Sequence, residues 1–208
     1  RACFAKLLTK QQYSLLELLE NNTIFEDFEE YRHETKLFLF PTTFGTSSEL
    51  TPWATIWDWE QHKKYSISHP SLYADTAYIF PGLSKGVPQR VTAATGLDCL
   101  SHALESIWNH KTHLLTEHHA LKSLEITLKT LPKLLHDLEN HSLRVQQAQA
   151  AVFAGLAFSQ TATAAAHALS YPLTLHHQVE HGFACSLSLG ELFDYNHHSH
   201  PTAALKSV

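Results

Sequence analysis

Four side chains of metal-binding type occur in the chain, and two of them have a spacing that suits a shared metal ion. In the segment TGLDCLSHALE, Asp98 and His102 are four residues apart, which on a helix places both side chains on one face. His167 follows in the alanine-rich segment AAAHALSYP, and His181 follows in VEHGFAC. One carboxylate and three imidazoles form a mixed oxygen and nitrogen set that suits Fe(II) or Zn(II) and leaves room for a substrate oxygen.

Each of these residues also has an ordinary structural interpretation. An Asp and a His at this spacing are usually a solvated pair on a helix surface. His167 would then be a core histidine bonded to a backbone carbonyl, and His181 would cap a helix end. The chain contains 17 His, so two further histidines are weak evidence by themselves. The residues alone leave both interpretations open.

The composition describes a globular chain that suits neither nucleic acid nor membrane. Its 208 residues, 44% hydrophobic and 17% charged, are enough to bury the core of one large domain or two small ones. A net charge of −5 with only 15 Lys and Arg opposes nucleic-acid binding. No apolar run reaches the roughly 20 residues that span a bilayer. The absence of Met, even at position 1, indicates a segment of a longer chain.

The cysteine content indicates where the protein works. The chain has three cysteines that are far apart, Cys3, Cys99 and Cys185. An odd number at such spacing does not form a disulfide framework, which predicts a reducing cytoplasmic location.

The first part of the chain predicts a mixed α/β structure. Leucines recur at a helical period in residues 1–36, and residues 37–40 form an apolar run (LFLF) that a proline ends. Such a run is typical of a buried strand in a parallel sheet. Residues 65–68 and 77–80 are two further short strands. Between them and the first strand, residues 41–49 (PTTFGTSSE) form a loop rich in hydroxyls and backbone donors.

From residue 88 onward the chain is rich in Ala and Leu at a helical period, with kinks or breaks expected at Pro132 and Pro172. We therefore predict an α/β part over residues 1–86, followed by an all-helical domain over residues 87–208. The junction between the two is the expected ligand cleft.

The same motifs resemble those of the iron-containing alcohol dehydrogenases. PTTFGTSSELT is similar to the family signature PTT-x-GTGSE-x-T, and TAATGLDCLSHALE is similar to the family helix TA-x-TG-x-DAL-x-HA-x-E. His167 and His181 stand where the family places its last two metal ligands. The resemblance extends over residues 37–196 and keeps four motifs in order and spacing.

The resemblance implies a Rossmann-like dinucleotide-binding part, incomplete here, and a helical metal-binding domain that is incomplete at its C-terminus. Asp98, His102, His167 and His181 would hold Fe(II), or Zn(II) as in some relatives. The ion would act as a Lewis acid on an aldehyde oxygen while hydride passes to or from NAD or NADP. Tyr171 stands where many relatives carry a further His, and it would be the hydrogen-bond or proton partner.

The resemblance also places the 41–49 loop beneath the nicotinamide cofactor. It assigns cofactor contacts to six residues: Thr42, Thr43, Gly45, Thr46, Thr51 and Lys64. The residues alone would favour an ordinary Ser/Thr turn and a solvated lysine. Ser47 departs from the family, which has Gly there, and this change would restrict the loop or shift the cofactor. The family's glycine triad, which binds the pyrophosphate, would precede Arg1 and is absent from this sequence.

The implied activity is that of a metal-dependent, NAD(P)-linked alcohol dehydrogenase or aldehyde reductase acting on a small aldehyde or alcohol. We expect it to form a homo-oligomer, a dimer. TPWATIWD together with HALSYPLT is similar to the branch that reduces phosphonoacetaldehyde, with Trp53 and Trp57 as the residues behind this likeness. Core packing would explain both tryptophans equally well. Short-chain alcohols, diols and lactaldehyde remain the other expected substrates. Two alternatives remain open. One is a relative of the glycerol dehydrogenase or dehydroquinate synthase type, and the other is a truncated, non-catalytic remnant.

Overall fold

The computed structural model describes residues 14–20, 32–33, 35–202 and 204–208. The chain divides into two units, Arg1–Phe40 with Ser48–Tyr78, and Pro41–Ser47 with Ile79–Val208. Helix α1 (Leu15–Glu20) is the main described part of the helical segment predicted over residues 1–36; most of that segment lies outside the described residues. The domain boundary predicted between residues 86 and 87 stays a prediction.

Two pairs of short strands form the sheet structure in the described part of the first unit. The strands are β1 (Phe38–Leu39), β2 (Trp53–Asp58), β3 (Lys63–Ser68) and β4 (Thr76–Ala77). β1 pairs with β4 in parallel, and β2 forms an antiparallel hairpin with β3. The predicted parallel strand at 37–40 and the strand at 65–68 are confirmed. The strand expected at 77–80 is shorter and begins one residue earlier, and β2 was not predicted.

The strand β1 is less buried than its apolar run predicted. The side chains of Phe38 and Phe40 are 52% and 53% exposed. β1 has only two residues and pairs with β4 on one side, so it cannot bury both faces as a strand inside a wide parallel sheet does. Stacking on Tyr78, with ring centroids 4.7 Å apart, covers part of the Phe40 ring.

A carboxylate fixes the segment that leads into β1. Asp75 Oδ2 accepts the Leu37 N–H at 2.8 Å and an Arg32 guanidinium N–H at 2.6 Å, and Lys36 Nζ lies 3.1 Å from the other oxygen. The Leu37 N–H, followed by the two cations, holds the pKa of Asp75 well below its usual range. Asp75 is therefore ionised at neutral pH.

The second unit is helical, as predicted from residue 88 onward. Its described α-helices are α2 (Gln89–Trp108), α3 (Leu114–His136), α4 (His141–Thr161), α5 (Ala165–His177), α6 (His181–Ser186) and α7 (Leu189–Ser199). Pro132 and Pro172 lie inside α3 and α5, so neither proline breaks its helix. A proline removes one backbone hydrogen bond, and packing of the surrounding helix turns offsets that loss here.

Helix α2 is the centre of the second unit and packs against α3, α4, α5 and α6. The core around it is built largely from alanine, whose small side chain lets helices approach closely. These buried alanines are Ala103, Ala120, Ala148, Ala150, Ala151, Ala154, Ala157 and Ala166. Because α2 is covered on several sides, polar residues on it are held in the interior.

Among the described residues, no helix has the length and apolar character needed to cross a membrane. Cys99 and Cys185 are both buried and both free, whereas Cys3 lies outside the described residues.

Candidate metal site

Three imidazoles converge on one carboxylate oxygen. Asp98 and His102 lie one turn apart on α2, His167 lies in the first turn of α5, and His181 is the first residue of α6. The Nε2 atoms of His102, His167 and His181 lie 3.7, 3.4 and 3.9 Å from Asp98 Oδ1. Ligand atoms on a tetrahedral ion with 2.0–2.1 Å bonds are about 3.3 Å apart. The spacing is close to that of a metal-ligand set.

Burial separates this cluster from an ordinary helix-surface pair. Asp98 and His102 are only 3% and 5% exposed, so they are not a solvated pair. His167 is equally buried, and its Nδ1 faces a carboxylate rather than a backbone carbonyl. The side chain of His181 is 33% exposed and forms the side of the cluster that opens to solvent.

Two glycines let neighbouring segments touch α2 at this point. A Cβ on Gly45 would lie 1.9 Å from the Thr95 carbonyl oxygen, and one on Gly182 would lie 1.8 Å from the Ala94 carbonyl oxygen. Neither position has room for any larger residue. Gly182 thereby sets the distance of His181 from α2. The close approach of Gly45 that the structure shows is to α2, and its contact with a cofactor stays a prediction.

Each of the three imidazoles is held through its Nδ1 atom by a different group. The partners are Gly45 O for His102 at 3.2 Å, Glu105 Oε2 for His167 at 2.5 Å, and Ser170 Oγ for His181 at 3.3 Å. A ring that donates its Nδ1–H keeps a lone pair on Nε2. All three rings can therefore direct an Nε2 lone pair toward Asp98.

Glu105 is a site residue that the sequence interpretation missed. Its Oε2 accepts the Nδ1–H of His167, while its Oε1 accepts the backbone N–H groups of Ala166 at 2.6 Å and His167 at 3.4 Å. One carboxylate thus caps the start of α5 and orients a ring on that helix. Glu105 lies seven residues after Asp98 and three after His102, on the same helix face. This spacing could have identified Glu105 as a residue of the site.

Two buried atoms of the cluster have no hydrogen-bond partner in the part of the chain that the structure describes. They are Asp98 Oδ1 and His167 Nε2, and both face the centre of the cluster. A buried carboxylate oxygen faced by three imidazole nitrogens needs a cation or a shared proton between them. One divalent ion would satisfy all four atoms. The donors present, one oxygen and three nitrogens, fit Fe(II) or Zn(II).

The pKa values reflect the close packing of these groups. Burial raises the pKa of Asp98, but the imidazoles around it have the larger combined effect and hold that pKa below its usual range. Burial lowers the pKa of His102 to about 4, so this ring is neutral at pH 7. Burial also lowers the pKa of His167, but the nearby Asp98, Cys185 and Glu105 side chains raise it well above the usual value. A metal ion binding to His167 must therefore displace a proton.

Cys185 is a second residue that the sequence interpretation left without a role. It lies one turn after His181 on α6 and is fully buried. Burial raises the pKa of its thiol, but bonds to the imidazoles of His167 and His181 outweigh burial and lower that pKa. Cys99, by contrast, is turned toward Ser123 and Thr127, and burial raises its pKa to about 11.

The predicted catalytic residue lies beside the cluster. Tyr171 is half-buried on α5, one turn after His167. Its ring is nearly parallel to that of His181, with centroids 6.4 Å apart and an angle of 10° between the planes. The structure therefore brings Tyr171 to the solvent-facing side of the metal-ligand set.

The predicted cofactor residues fall in both units. Thr42 and Thr46 are exposed and Thr43 is half-buried in the loop that Gly45 joins to α2. In the first unit, Thr51 is buried and its Oγ1 donates to the Ser48 carbonyl at 3.3 Å; Lys64, in β3, is half-buried. Cofactor contact stays a prediction for each of them.

Ser47, at the position of a family glycine, adopts the backbone conformation that glycine favours. Its φ is +46°, in the left-handed region where a Cβ is unfavourable. Its Oγ donates to the Ala151 carbonyl on α4 at 2.6 Å. The side chain that introduces the strain also ties the loop to a helix, so the loop keeps its shape without the glycine.

Comparison with known families gives two matches that together span most of the chain. Residues 6–81 match the model described as "Iron-containing alcohol dehydrogenase". Residues 92–208, more than half of the chain, match "Fe-containing alcohol dehydrogenase family, C-terminal". All four residues of the metal-ligand set lie in the second match.

Similar proteins include several reductases and dehydrogenases. The chain is 33% identical over 157 residues to phosphonoacetaldehyde reductase of Streptomyces viridochromogenes, covering 76% of this chain and 40% of that protein. It is 35% identical over 165 residues to choline dehydrogenase of Bacillus subtilis, covering 79% of this chain and 41% of that protein. The structure of sulfoacetaldehyde reductase from Bifidobacterium kashiwanohense in complex with NAD+ aligns with a TM-score of 0.76 at 31% identity, covering 84% of this chain and 49% of that one. The chain thus spans less than half the length of these relatives.

Proposed function

Because the chain belongs to the iron-containing alcohol dehydrogenase family, we propose that it carries the metal-binding part of an enzyme that interconverts small aldehydes and alcohols with NAD or NADP. The observation that carries this proposal is the convergence of three imidazole Nε2 atoms on Asp98 Oδ1, within 3.4–3.9 Å. The relatives are named as reductases and dehydrogenases, which supports the interconversion of aldehydes and alcohols as the reaction class.

Asp98, His102, His167 and His181 would hold one divalent ion, Fe(II) or Zn(II). When bound, that ion supplies Lewis acidity toward a carbonyl oxygen, and the nicotinamide supplies or accepts the hydride. The residues of this chain provide the rigid frame. The buried carboxylate of Asp98 offsets part of the ionic charge, and the Nδ1 partners fix the three rings against rotation.

Access to the site is from the side of His181. Asp98, His102 and His167 are almost fully buried, whereas the His181 side chain is one-third exposed. A substrate therefore approaches past His181 and the adjacent phenol of Tyr171. We assign to Tyr171 Oη a hydrogen bond to the substrate oxygen, which stabilises the charge that develops there during reduction.

The loop of residues 41–47 would connect cofactor and metal. Thr42, Thr43 and Thr46 offer hydroxyls and backbone donors for the nicotinamide end of the cofactor, and Thr51 and Lys64 would add contacts farther along it. Gly45 is the link, because its carbonyl accepts the His102 Nδ1–H while its backbone touches α2. A change in this loop would therefore also move a metal ligand.

The substrate class that we propose is a two-carbon aldehyde with an anionic group. Phosphonoacetaldehyde and sulfoacetaldehyde, named for two relatives found by separate comparisons, share this chemistry. His176 and His177, in the last turn of α5, are the titratable residues that we predict to recognise such a group. Location in the cytoplasm and assembly into a dimer stay predictions from the sequence.

The alternatives are less well supported. A metal-independent or lyase-type relative would not need the complete set of one carboxylate and three imidazoles that α2, α5 and α6 bring together. The relatives are named as reductases and dehydrogenases, which does not favour a non-catalytic remnant either.

The test is aldehyde-dependent oxidation of NADH and NADPH by the anaerobically purified protein, supplied with Fe(II) or Zn(II). Phosphonoacetaldehyde, sulfoacetaldehyde and propanal are compared as substrates. We expect His167→Ala to lose activity by about 100-fold or more, since losing a ligand exceeds the 10–100-fold cost of an outer-shell change. His141→Ala, which replaces an exposed histidine at the start of α4, serves as the matched control. Full activity in His167→Ala would overturn the proposal.

A further inference from the structure

A fifth potential ligand faces the cluster. Cys185 follows His181 by one helical turn, and its Sγ lies 3.7 Å from Nε2 and 3.8 Å from Nδ1 of that ring. Cys185 also joins Asp98, His167 and His181 in a group whose ligand atoms all lie within 4.8 Å of one another. Sulfur and nitrogen bound to one tetrahedral zinc ion, at 2.3 and 2.0–2.1 Å, are about 3.6 Å apart. The sulfur is thus at a ligand's distance.

A second observation points to a cation beside this sulfur. Asp98 Oδ1 and His167 Nε2 are buried, have no hydrogen-bond partner among the residues described, and are directed into the same space. Leaving two such atoms unsatisfied in the interior is costly, and a cation in that space, or a proton shared between the two atoms, removes the cost. Cys185 has no exposed surface, so its thiol faces this space rather than solvent.

We propose that Cys185 supplies a thiolate ligand to the ion held by Asp98, His167 and His181. This inference rests on the metal site of the proposed function and adds a donor to it. On binding, the S–H bond breaks, a sulfur–metal bond forms and the proton leaves to solvent, with no oxidation or reduction. His102 is not part of that group of four, but its Nε2 lies 3.7 Å from Asp98 Oδ1.

A thiolate changes which metal the site prefers. Sulfur is a soft donor that selects zinc and similar ions, whereas a set made only of carboxylate and imidazole discriminates less. We therefore expect Cys185→Ser to lower the affinity for Zn(II) about tenfold or more, while the affinity for Mn(II), which favours oxygen, changes less than about threefold.

Cobalt provides the direct test, because Co(II) bound to a thiolate gives a charge-transfer absorption in the near ultraviolet that nitrogen and oxygen ligands do not give. The metal-free protein is loaded with Co(II), and its content is measured alongside the spectrum. We expect the band in the parent and its loss in Cys185→Ser. Cys99→Ser is the matched control: it also removes a buried thiol, but one that faces Ser123 and Thr127, so the band should persist.

The parent spectrum alone can overturn the inference, even if Cys185→Ser does not fold. One Co(II) per chain without the band would exclude a thiolate and leave the metal site of the proposed function in place. A band that survives in folded Cys185→Ser would assign the sulfur to another cysteine and so contradict the proposal. Failure to bind Co(II) at all would overturn both the thiolate and the metal site.

Discussion

Replacing Glu105 by Gln tests how the ligand geometry is maintained, because the two side chains have the same size but different hydrogen-bonding capacity. One carboxylate oxygen accepts the backbone N–H groups of Ala166 at 2.6 Å and His167 at 3.4 Å, and the other accepts the His167 Nδ1–H at 2.5 Å. Gln has only one acceptor oxygen. If that oxygen keeps the cap of α5, the amide NH₂ faces the ring. His167 must then carry its proton on Nε2, the atom directed at Asp98.

The expected cost follows from this change of tautomer. Replacing an outer-shell partner of a metal-bound histidine typically lowers metal affinity 10–100-fold. At about 1.4 kcal/mol per tenfold, this corresponds to about 1.4–2.8 kcal/mol. The value agrees with the roughly 1.5–3 kcal/mol that a hydrogen bond to a charged group contributes. We therefore predict that Glu105→Gln binds Zn(II) about 10–100-fold more weakly than the parent.

Competition for Zn(II) against a chromophoric chelator measures this affinity. Glu125→Gln is the control, since Glu125 is also on a helix and paired, at 2.9 Å, with Lys122 and Lys129, but it is exposed. An exposed pair contributes little, so zinc affinity should change less than about twofold. Unchanged affinity in a Glu105→Gln protein with parental near-ultraviolet circular dichroism would refute the role assigned to Glu105.

Three further predictions concern stability, each measured by urea unfolding of the metal-free protein. Ser47→Ala should lower the free energy of unfolding by about 1–2 kcal/mol, because it keeps the strained φ and loses the hydrogen bond to α4. Ser47→Gly should stay within about 1 kcal/mol of the parent, because it relieves the strain while losing the same bond. Equal losses in the two variants would contradict this. Gly182→Ala should lower the free energy of unfolding by about 1–3 kcal/mol, because its Cβ would collide with the backbone of α2. Gly190→Ala, whose Cβ would have no atom within 4 Å, should instead stabilise the protein by about 0.5–1 kcal/mol through α7. Asp75 has a folded pKa below the unfolded value near 3.8, so its stabilising effect is present above that pH and is lost on acidification. Asp75→Asn should therefore be less stable than the parent at pH 7. If the difference in free energy of unfolding between the two proteins does not narrow below pH 4, the claim that ionised Asp75 stabilises the fold is refuted.

The helical part of the fold could be predicted because its period is local. The Ala- and Leu-rich pattern after residue 88 gave the helical domain, and the spacing of Asp98 and His102 placed both on one face of α2. The assignment of His167 and His181 as metal ligands came from the order of the family motifs and not from spacing. The sequence has no local pattern that shows which faces of separate helices pack together.

What the sequence did not reveal depends on long-range contacts or on short strands. Glu105 and Cys185 occupy helical positions that match Asp98 and His181, so their spacing was visible, but their partners were not. The bond from Glu105 to His167 joins residues 62 positions apart. Residues 53–58 (WATIWD) do not alternate apolar and polar side chains, so β2 has no clear strand pattern in the sequence. Ser47 appeared to be a restriction of the loop, and only its contact with α4 explains how the position accommodates a side chain.

The metal content of the protein tests the central claim most directly. The parent, His167→Ala and His141→Ala are purified anaerobically, supplied with Fe(II) or Zn(II), dialysed and analysed for bound metal per chain. We predict about one ion per chain in the parent and in His141→Ala, and loss of that ion in His167→Ala. A folded parent without stoichiometric metal, or a His167→Ala protein that retains the ion, would contradict the metal site.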